Sequence, residues 1–339
     1  MKHIRKLRYL LLLVVPLLLI WIIRSQFPLE DIWAALRALS LDQIFILAIV
    51  NLGIILLFSG RWWLILRAQG YTLPYFTLAG YRLAGFAISY FTPGTQFGGE
   101  PLQAYFPQNR HQVPGATSAA SVALDKLFEL LFSFTFLVIG ILVILDSKLL
   151  PAFDNTSFLW LAGGLLSIPL LYLLALWGGL SPLSGLVAGL PMPEGIRARL
   201  NKIHPFVSST ERQISALFRR RPLTIIAILL LSALIWAFMI AEYWLMLTFL
   251  GIELDWVQAV IGLAAARLAF LTPIPGGLGA LEASQVLVAS ALGASPAIGI
   301  SVSLLIRLRD TLLGGLGLWW GALLLGRSPF LSLPSQAGD

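Results

Sequence analysis

Residues Leu271-Thr-Pro-Ile-Pro-Gly-Gly-Leu-Gly-Ala-Leu-Glu-Ala-Ser-Gln285 place two prolines and three glycines inside an otherwise apolar run. An earlier stretch, Phe91-Thr-Pro-Gly-Thr-Gln-Phe-Gly-Gly-Glu-Pro-Leu-Gln103, has the same plan. Thr92-Pro93 answers Thr272-Pro273, Glu100 answers Glu282, and Gln103 answers Gln285. In hydrocarbon an unpaired backbone group has no water to bond, so a broken helix is tolerated only where the break is buried in protein or lines a wet cavity. A doubled break, at Pro93, Gly94, Gly98 and Gly99 and again at Pro273, Pro275, Gly276, Gly277 and Gly279, therefore points to an internal site with a hinge in each half.

The chain has 339 residues, 58% of them hydrophobic and 12% charged, with a mean hydropathy of +0.87. That leaves too little polar surface for a water-soluble globule. Stretches that approach or exceed the roughly 20 residues needed to span a bilayer occur at Leu7–Ile23, Leu41–Leu66, Gly115–Leu145, Ser157–Trp177, Leu223–Leu250 and Ala297–Leu325. The reading is an all-α, polytopic membrane protein forming one transmembrane domain over residues 1–339. Its parts are a first helix (7–23), a first repeat (41–145), a connecting helix (157–177), a basic cytoplasmic loop (191–221) and a second repeat (223–325).

There is no cysteine, and His3, His111 and His204 are too scattered to make a metal site, so neither a metal nor a cofactor is expected. No phosphate-cradling Gly-x-x-x-x-Gly-Lys-Ser/Thr run occurs either. The net charge of +7 is concentrated in Lys2, Arg5, Lys6 and Arg8, and in Pro191–Arg221, where seven Lys and Arg face two Glu. Such clusters mark cytoplasmic faces and not a nucleic-acid site, so the N-terminus is expected inside a cytoplasmic (inner) membrane. Within Pro191–Arg221, apolar residues at helical spacing alternate with basic ones. The segment fits a basic amphipathic helix on anionic lipid as well as an ordinary solvated loop.

Counting crossings from these faces leaves Pro74–Pro114 beginning and ending on one side. Its arms of about 16 and 13 residues reach about 24 and 20 Å as helices, short of a core of about 30 Å. A helical hairpin that turns back within the bilayer fits, and two short full crossings satisfy the same parity. The second half repeats the first, since Glu242-Tyr-Trp-Leu-Met-Leu-Thr-Phe-Leu-Gly251 parallels Arg61-Trp-Trp-Leu-Ile-Leu-Arg-Ala-Gln-Gly70. Its hairpin is Trp256–Gly293. The two halves run in opposite directions by the same count, giving an inverted repeat with two re-entrant hairpins.

Ionisable residues in apolar helices cost roughly 2.5–3.5 kcal/mol each on insertion scales, so each calls for a partner or a role. The first repeat holds Arg82, Glu100, Asp125, Lys126 and Glu129; the second holds Arg267, Glu282, Arg307, Arg309 and Asp310. Structural ion pairs are one account, Arg267 with Glu282 or Asp125 with Arg307. A pocket is the other: Arg82, Arg267, Arg307 and Lys126, with helices restarting after Gly99 and Gly279, would attract a lipid phosphate. In that account Glu100, Gln103, Asp125, Glu129, Glu282 and Asp310 complete a substrate site by orienting arginines, binding an amine or hydroxyls, or carrying protons.

On these residues the chain resembles a known family. The stretch from Phe97-Gly-Gly-Glu-Pro-Leu-Gln103 through Ala119-Ala-Ser-Val-Ala-Leu-Asp-Lys-Leu-Phe-Glu129, with Pro273-Ile-Pro-Gly-Gly-Leu-Gly-Ala-Leu-Glu282 and Arg307, is similar to the transmembrane domain of lysylphosphatidylglycerol synthases and their stand-alone flippase-like relatives. The resemblance implies a bacterial or archaeal inner-membrane protein whose domain, in the fused enzymes, moves aminoacylated phospholipid between leaflets. Other members accompany hopanoid, polyprenyl-sugar or cell-envelope biosynthesis. Gln103 stands where many members have Arg, and no aminoacyl-transfer domain follows the last helix.

The expected function is thus a lipid translocase, a transporter and not an enzyme. Its partners would be a phospholipid, a polyprenyl-phosphate-linked or a hopanoid-type lipid, and envelope-biosynthesis enzymes. The alternatives are a membrane-embedded transferase on a lipid-linked substrate, with Asp146, Asp154 and Glu253 in short loops as its carboxylates, and a non-catalytic scaffold.

Overall fold

The computed structural model describes Arg37 and residues 39–92, 98–147, 155–189, 194–272 and 277–326. Eleven helices run through them, and no strand occurs among the described residues. In chain order they are α1 (Leu41–Ala68), α2 (Tyr75–Phe91), α3 (Glu100–His111), α4 (Gly115–Ser147), α5 (Asn155–Trp177), α6 (Pro182–Gly189), α7 (Glu194–Arg220), α8 (Pro222–Phe249), α9 (Trp256–Phe270), α10 (Ala280–Ala291) and α11 (Pro296–Gly326). The first helix expected at 7–23 and the hinge residues Pro93, Gly94, Pro273, Pro275 and Gly276 lie outside the described residues.

Helices α1 and α8, of 28 residues each, and the segment Gly115–Val143 of α4 are long and apolar enough to cross a membrane. At 1.5 Å per residue, 28 residues reach about 42 Å against a core of about 30 Å. Residues Gly163–Trp177 of α5 and the whole of α6 form a further apolar pair, bent by 96°. Helix α11 has 31 residues but carries Arg307, Arg309 and Asp310 at its centre, so it needs neighbours that hide those charges. Together these helices define a multi-pass membrane protein.

The turns that close the two similar motifs match bond for bond. After α1, Gly70 N–H reaches Arg67 C=O and Tyr71 N–H reaches Leu66 C=O; after α8, Gly251 N–H reaches Thr248 C=O and Ile252 N–H reaches Leu247 C=O, all at 3.0 Å. Both turns need φ near +90°, observed as 92° at Gly70 and 83° at Gly251, which only glycine adopts freely. The indole N–H of Trp63 donates to Leu73 C=O at 3.0 Å, and that of Trp244 donates to Leu254 C=O at 3.0 Å.

The halves interlock. Helix α2 packs on α11 and α9 on α4, while α1 packs on α8. Small residues permit the approach, as is usual where helices associate in lipid. A Cβ on Gly317 of α11 would lie 2.2 Å from the Leu83 carbonyl oxygen of α2, and one on Gly140 of α4 would lie 2.5 Å from Ala264 of α9. Each hairpin's arms also touch each other, α2 on α3 and α9 on α10. The Gln103 side chain presses against Gly85, and its counterpart Gln285 donates to Gly262 C=O at 3.3 Å.

Candidate functional site

The long helices carry the charges, and the hairpins bring partners to them. On α4, Asp125 and Glu129 fall four residues apart on one face. Arg61 of α1 meets Asp125 at 2.7 Å through Nε, and its other nitrogens donate to Asp125 C=O at 3.1 Å and to Ser232 Oγ at 3.1 Å. Arg82 of α2 bonds the second Asp125 oxygen and reaches Glu129 Oε2 at 3.2 Å. Lys126 closes the chain of charges, 2.8 Å from Glu129 Oε1 and 3.4 Å from Glu100 Oε1. In the second half Arg309 bridges Glu242 and Asp310, the latter at 2.9 Å, and Arg307 holds Glu282 with two nitrogens.

Both break carboxylates turn back onto their own helix starts. Glu100 Oε2 accepts from Gly98 N–H at 2.7 Å, and Glu282 Oε2 accepts from Gly279 N–H at 2.8 Å. Each also binds a cation from the following long helix, Lys126 in one half and Arg307 in the other. Glu100 and Glu282 therefore cap and latch at once.

Between the halves lies a cavity of about 180 Å³. Arg82, Glu100, Gln103, Asp125, Lys126 and Glu129 line it from the first half, with Arg267 and Asp310 from the second. Glu282 and Arg307 do not line it; their pair sits at the second break, where Arg307 also donates to Gly277 C=O at 3.1 Å. The ion pairs Arg267–Glu282 and Asp125–Arg307 are not formed. Packing of α11 on α10 brings Arg307 to Glu282, and Asp125 is already held by Arg61 and Arg82.

Arg267 stands apart from the other cavity cations. Its Nη2 lies 2.8 Å from Met239 Sδ, and its guanidinium is 5.4 Å from the Trp236 ring centroid. Among the described residues no carboxylate lies within 4.0 Å of it. The lining counts four cations, Arg82, Lys126, Arg267 and Arg309, and five carboxylates, Glu100, Asp125, Glu129, Glu242 and Asp310. Arg61, bonded behind Asp125, makes the cluster charge-balanced.

Arg61 and Glu242 belong to this site although sequence reading left both out of it. Arg61 is 1% exposed. The available signal was the duplicated motif itself, which puts Arg61 and Glu242 at the same position with opposite charge. Of the transferase carboxylates, Glu253 is exposed and away from the cavity, and Asp154 lies outside the described residues.

A helical bundle with helices long and apolar enough to cross a membrane, and with a charged cavity among them, is a multi-pass membrane protein. The chain belongs to the family described as lysylphosphatidylglycerol synthase TM region, which it matches over residues 9–317. It is similar to a UPF0104 membrane protein of Methanocaldococcus jannaschii, with 23% identity over 91% of this chain and 92% of that one. A UPF0104 membrane protein of Methanothermobacter thermautotrophicus is 24% identical over 79% of this chain and 81% of that one.

Proposed function

We propose that the protein is a translocase that carries a phosphate-bearing lipid or lipid-linked precursor across the cytoplasmic membrane. The observation that carries this reading is Arg267, a cavity-lining guanidinium with no carboxylate within 4.0 Å among the described residues. A buried charge without a partner is costly in lipid, and a guanidinium pairs a phosphate through two parallel hydrogen bonds. The balance of the remaining charges favours a head group that also carries an amine or hydroxyls for Glu129 and Asp310 over a bare anion.

The cavity size divides the ligand. At about 30 Å³ per water, a volume of 180 Å³ holds a small polar head group and excludes acyl chains. The tails would stay among the lipid-facing helices while the head passes. In this reading the halves are inverted in the membrane, the N-terminus is cytoplasmic, and the capped breaks at Gly98–Gly99 and Gly277–Gly279 open alternately.

The test is leaflet exchange in liposomes containing fluorescent lipids of differing head group, with accessible label quenched from outside. The parent protein should accelerate exchange of phosphate-bearing lipids. Arg267→Gln should slow it about tenfold or more, the loss expected for a hydrogen bond to a charged group, with an unchanged melting temperature. No acceleration for any phosphate-bearing lipid would refute the proposal.

A further inference from the structure

We infer a second anion site, remote from the cavity, where the α5–α6 bend meets the end of α7. It would take the phosphate of an anionic lipid at the membrane surface. The inference does not depend on the translocase reading.

The bend forms a pocket of about 280 Å³ between Gly179 and Ser181 on one side and Arg212, Ser215, Arg219 and Arg220 on the other. Arg212 precedes Arg219 by seven residues, two turns of helix, so these two share a face, and Arg220 lines the same pocket. Arg219 is seated by the bend itself, donating to Gly178 C=O at 2.9 Å. Gly179 has φ of 86°, and a Cβ there would lie 1.7 Å from Arg219 Nη2. The turn is shaped around that guanidinium.

Among the described residues no carboxylate lies within 4.0 Å of Arg212, Arg219 or Arg220. Glu211, adjacent to Arg212, is 1% exposed and its oxygens are committed elsewhere. Oε1 accepts from Tyr172 Oη at 2.9 Å and Leu183 N–H at 2.8 Å, and Oε2 from Ser184 N–H at 3.0 Å and Ser184 Oγ at 2.6 Å. Three arginines and two serines lining one pocket match a phosphate. Exposed Trp177, Leu180 and Leu183 flank the arginines on the same bend, which favours a lipid phosphate over a free one because apolar side chains beside basic ones partition to the membrane surface.

The test follows thermal unfolding of the full-length protein in neutral detergent, titrated with dioctanoyl phosphatidylglycerol, dioctanoyl phosphatidylcholine or sodium phosphate. Phosphatidylglycerol should raise the midpoint saturably, and the same response should persist in Arg267→Gln. The double variant Arg212→Gln, Arg220→Gln should need about thirty-fold more lipid, since each basic residue near an anionic surface contributes about 1 kcal/mol. Arg212→Lys, Arg220→Lys should respond like the parent. Ser181→Glu, which keeps every arginine and puts a carboxylate in the pocket, should abolish the response. The inference falls if phosphatidylcholine works equally well, if either Ser181→Glu or the double Gln variant responds like the parent, or if Arg267→Gln loses the response. Saturation by sodium phosphate at the same strength as the lipid would overturn the lipid assignment.

Discussion

Arg61 and Asp125, 64 positions apart in the chain, meet at 2.7 Å with side chains 1% and 4% exposed. This pair ties α1 to α4 inside the bundle, and Arg82 adds α2 through the second Asp125 oxygen. Removing one member of a buried pair strands the other charge, at a cost of about 3–5 kcal/mol. Arg61→Leu should therefore lower stability by up to about that amount in a mixed-micelle unfolding assay. Asp125 keeps Arg82 in that variant, so adding Asp125→Asn should cost less than Asp125→Asn does in the parent, because both changes break the same Arg61–Asp125 pair. A double variant that is worse by the sum of both single losses would contradict this account.

The two break carboxylates should differ in what they hold up. Glu100 shares Lys126 with Glu129, so Glu100→Gln leaves that ammonium an ion pair at 2.8 Å. Glu282 takes two Arg307 nitrogens, so Glu282→Gln breaks a two-pronged ion pair to a residue only 7% exposed. Glu282→Gln should be the more destabilising, by about 2 kcal/mol or more, the range for hydrogen bonds to charged groups. Melting temperatures of the two variants measured side by side decide it.

The helical class and the two broken hairpins were legible in the sequence because lipid allows few alternatives. A proline-glycine break in an apolar run has to be buried in protein or line a cavity. The partners of the charges were not legible. Arg307 joins Glu282 because α11 lies along α10, and Arg267 turns to Trp236 and Met239 because α9 meets α8; helix periodicity specifies neither contact. Arg61 illustrates the limit most plainly. It stands in the duplicated motif beside Trp62, which is fully buried and donates to Ser121 Oγ at 3.0 Å, and nothing in the motif names Asp125 as its partner.

Glu211 should make stability depend on pH. Burial pushes its carboxyl up, but the hydrogen bonds from Ser184, Leu183 and Tyr172 outweigh that and hold it below its ordinary value of 4.5. A folded-state pKa below the unfolded one adds stability that is fully present above the unfolded value and lost as pH falls through the folded one. The parent should thus be more stable than Glu211→Gln at pH 7, with the gap shrinking as pH drops below 4.5. A gap that stays constant from pH 7 to about 3 would show that no titrating carboxylate caps α6.

The contacts exchanged between the halves, α2 with α11 and α9 with α4 about a shared α1–α8 contact, have the reciprocal form of an isologous interface. A two-fold that relates them lies either in the membrane plane, inverting one half, or along the membrane normal, leaving both parallel. The order of crossings favours inversion. From α1 to α8 the chain passes the α2–α3 hairpin, then α4, then the bent α5–α6 pair, then α7. If that hairpin returns to its starting side and the bent pair crosses once, two crossings separate the end of α1 from the start of α8, and the end of α8 would fall on the opposite side from the end of α1. Thr72 and Glu253 mark those two ends; they are 181 positions apart, like the motifs around them, and both are exposed. The chain has no cysteine, which makes single-cysteine labelling clean. Thr72→Cys and Glu253→Cys should react with a membrane-impermeant maleimide from opposite sides, one in intact cells and the other only in inside-out vesicles. Labelling from a single side would establish a parallel duplication and remove the basis for alternate opening of the two breaks.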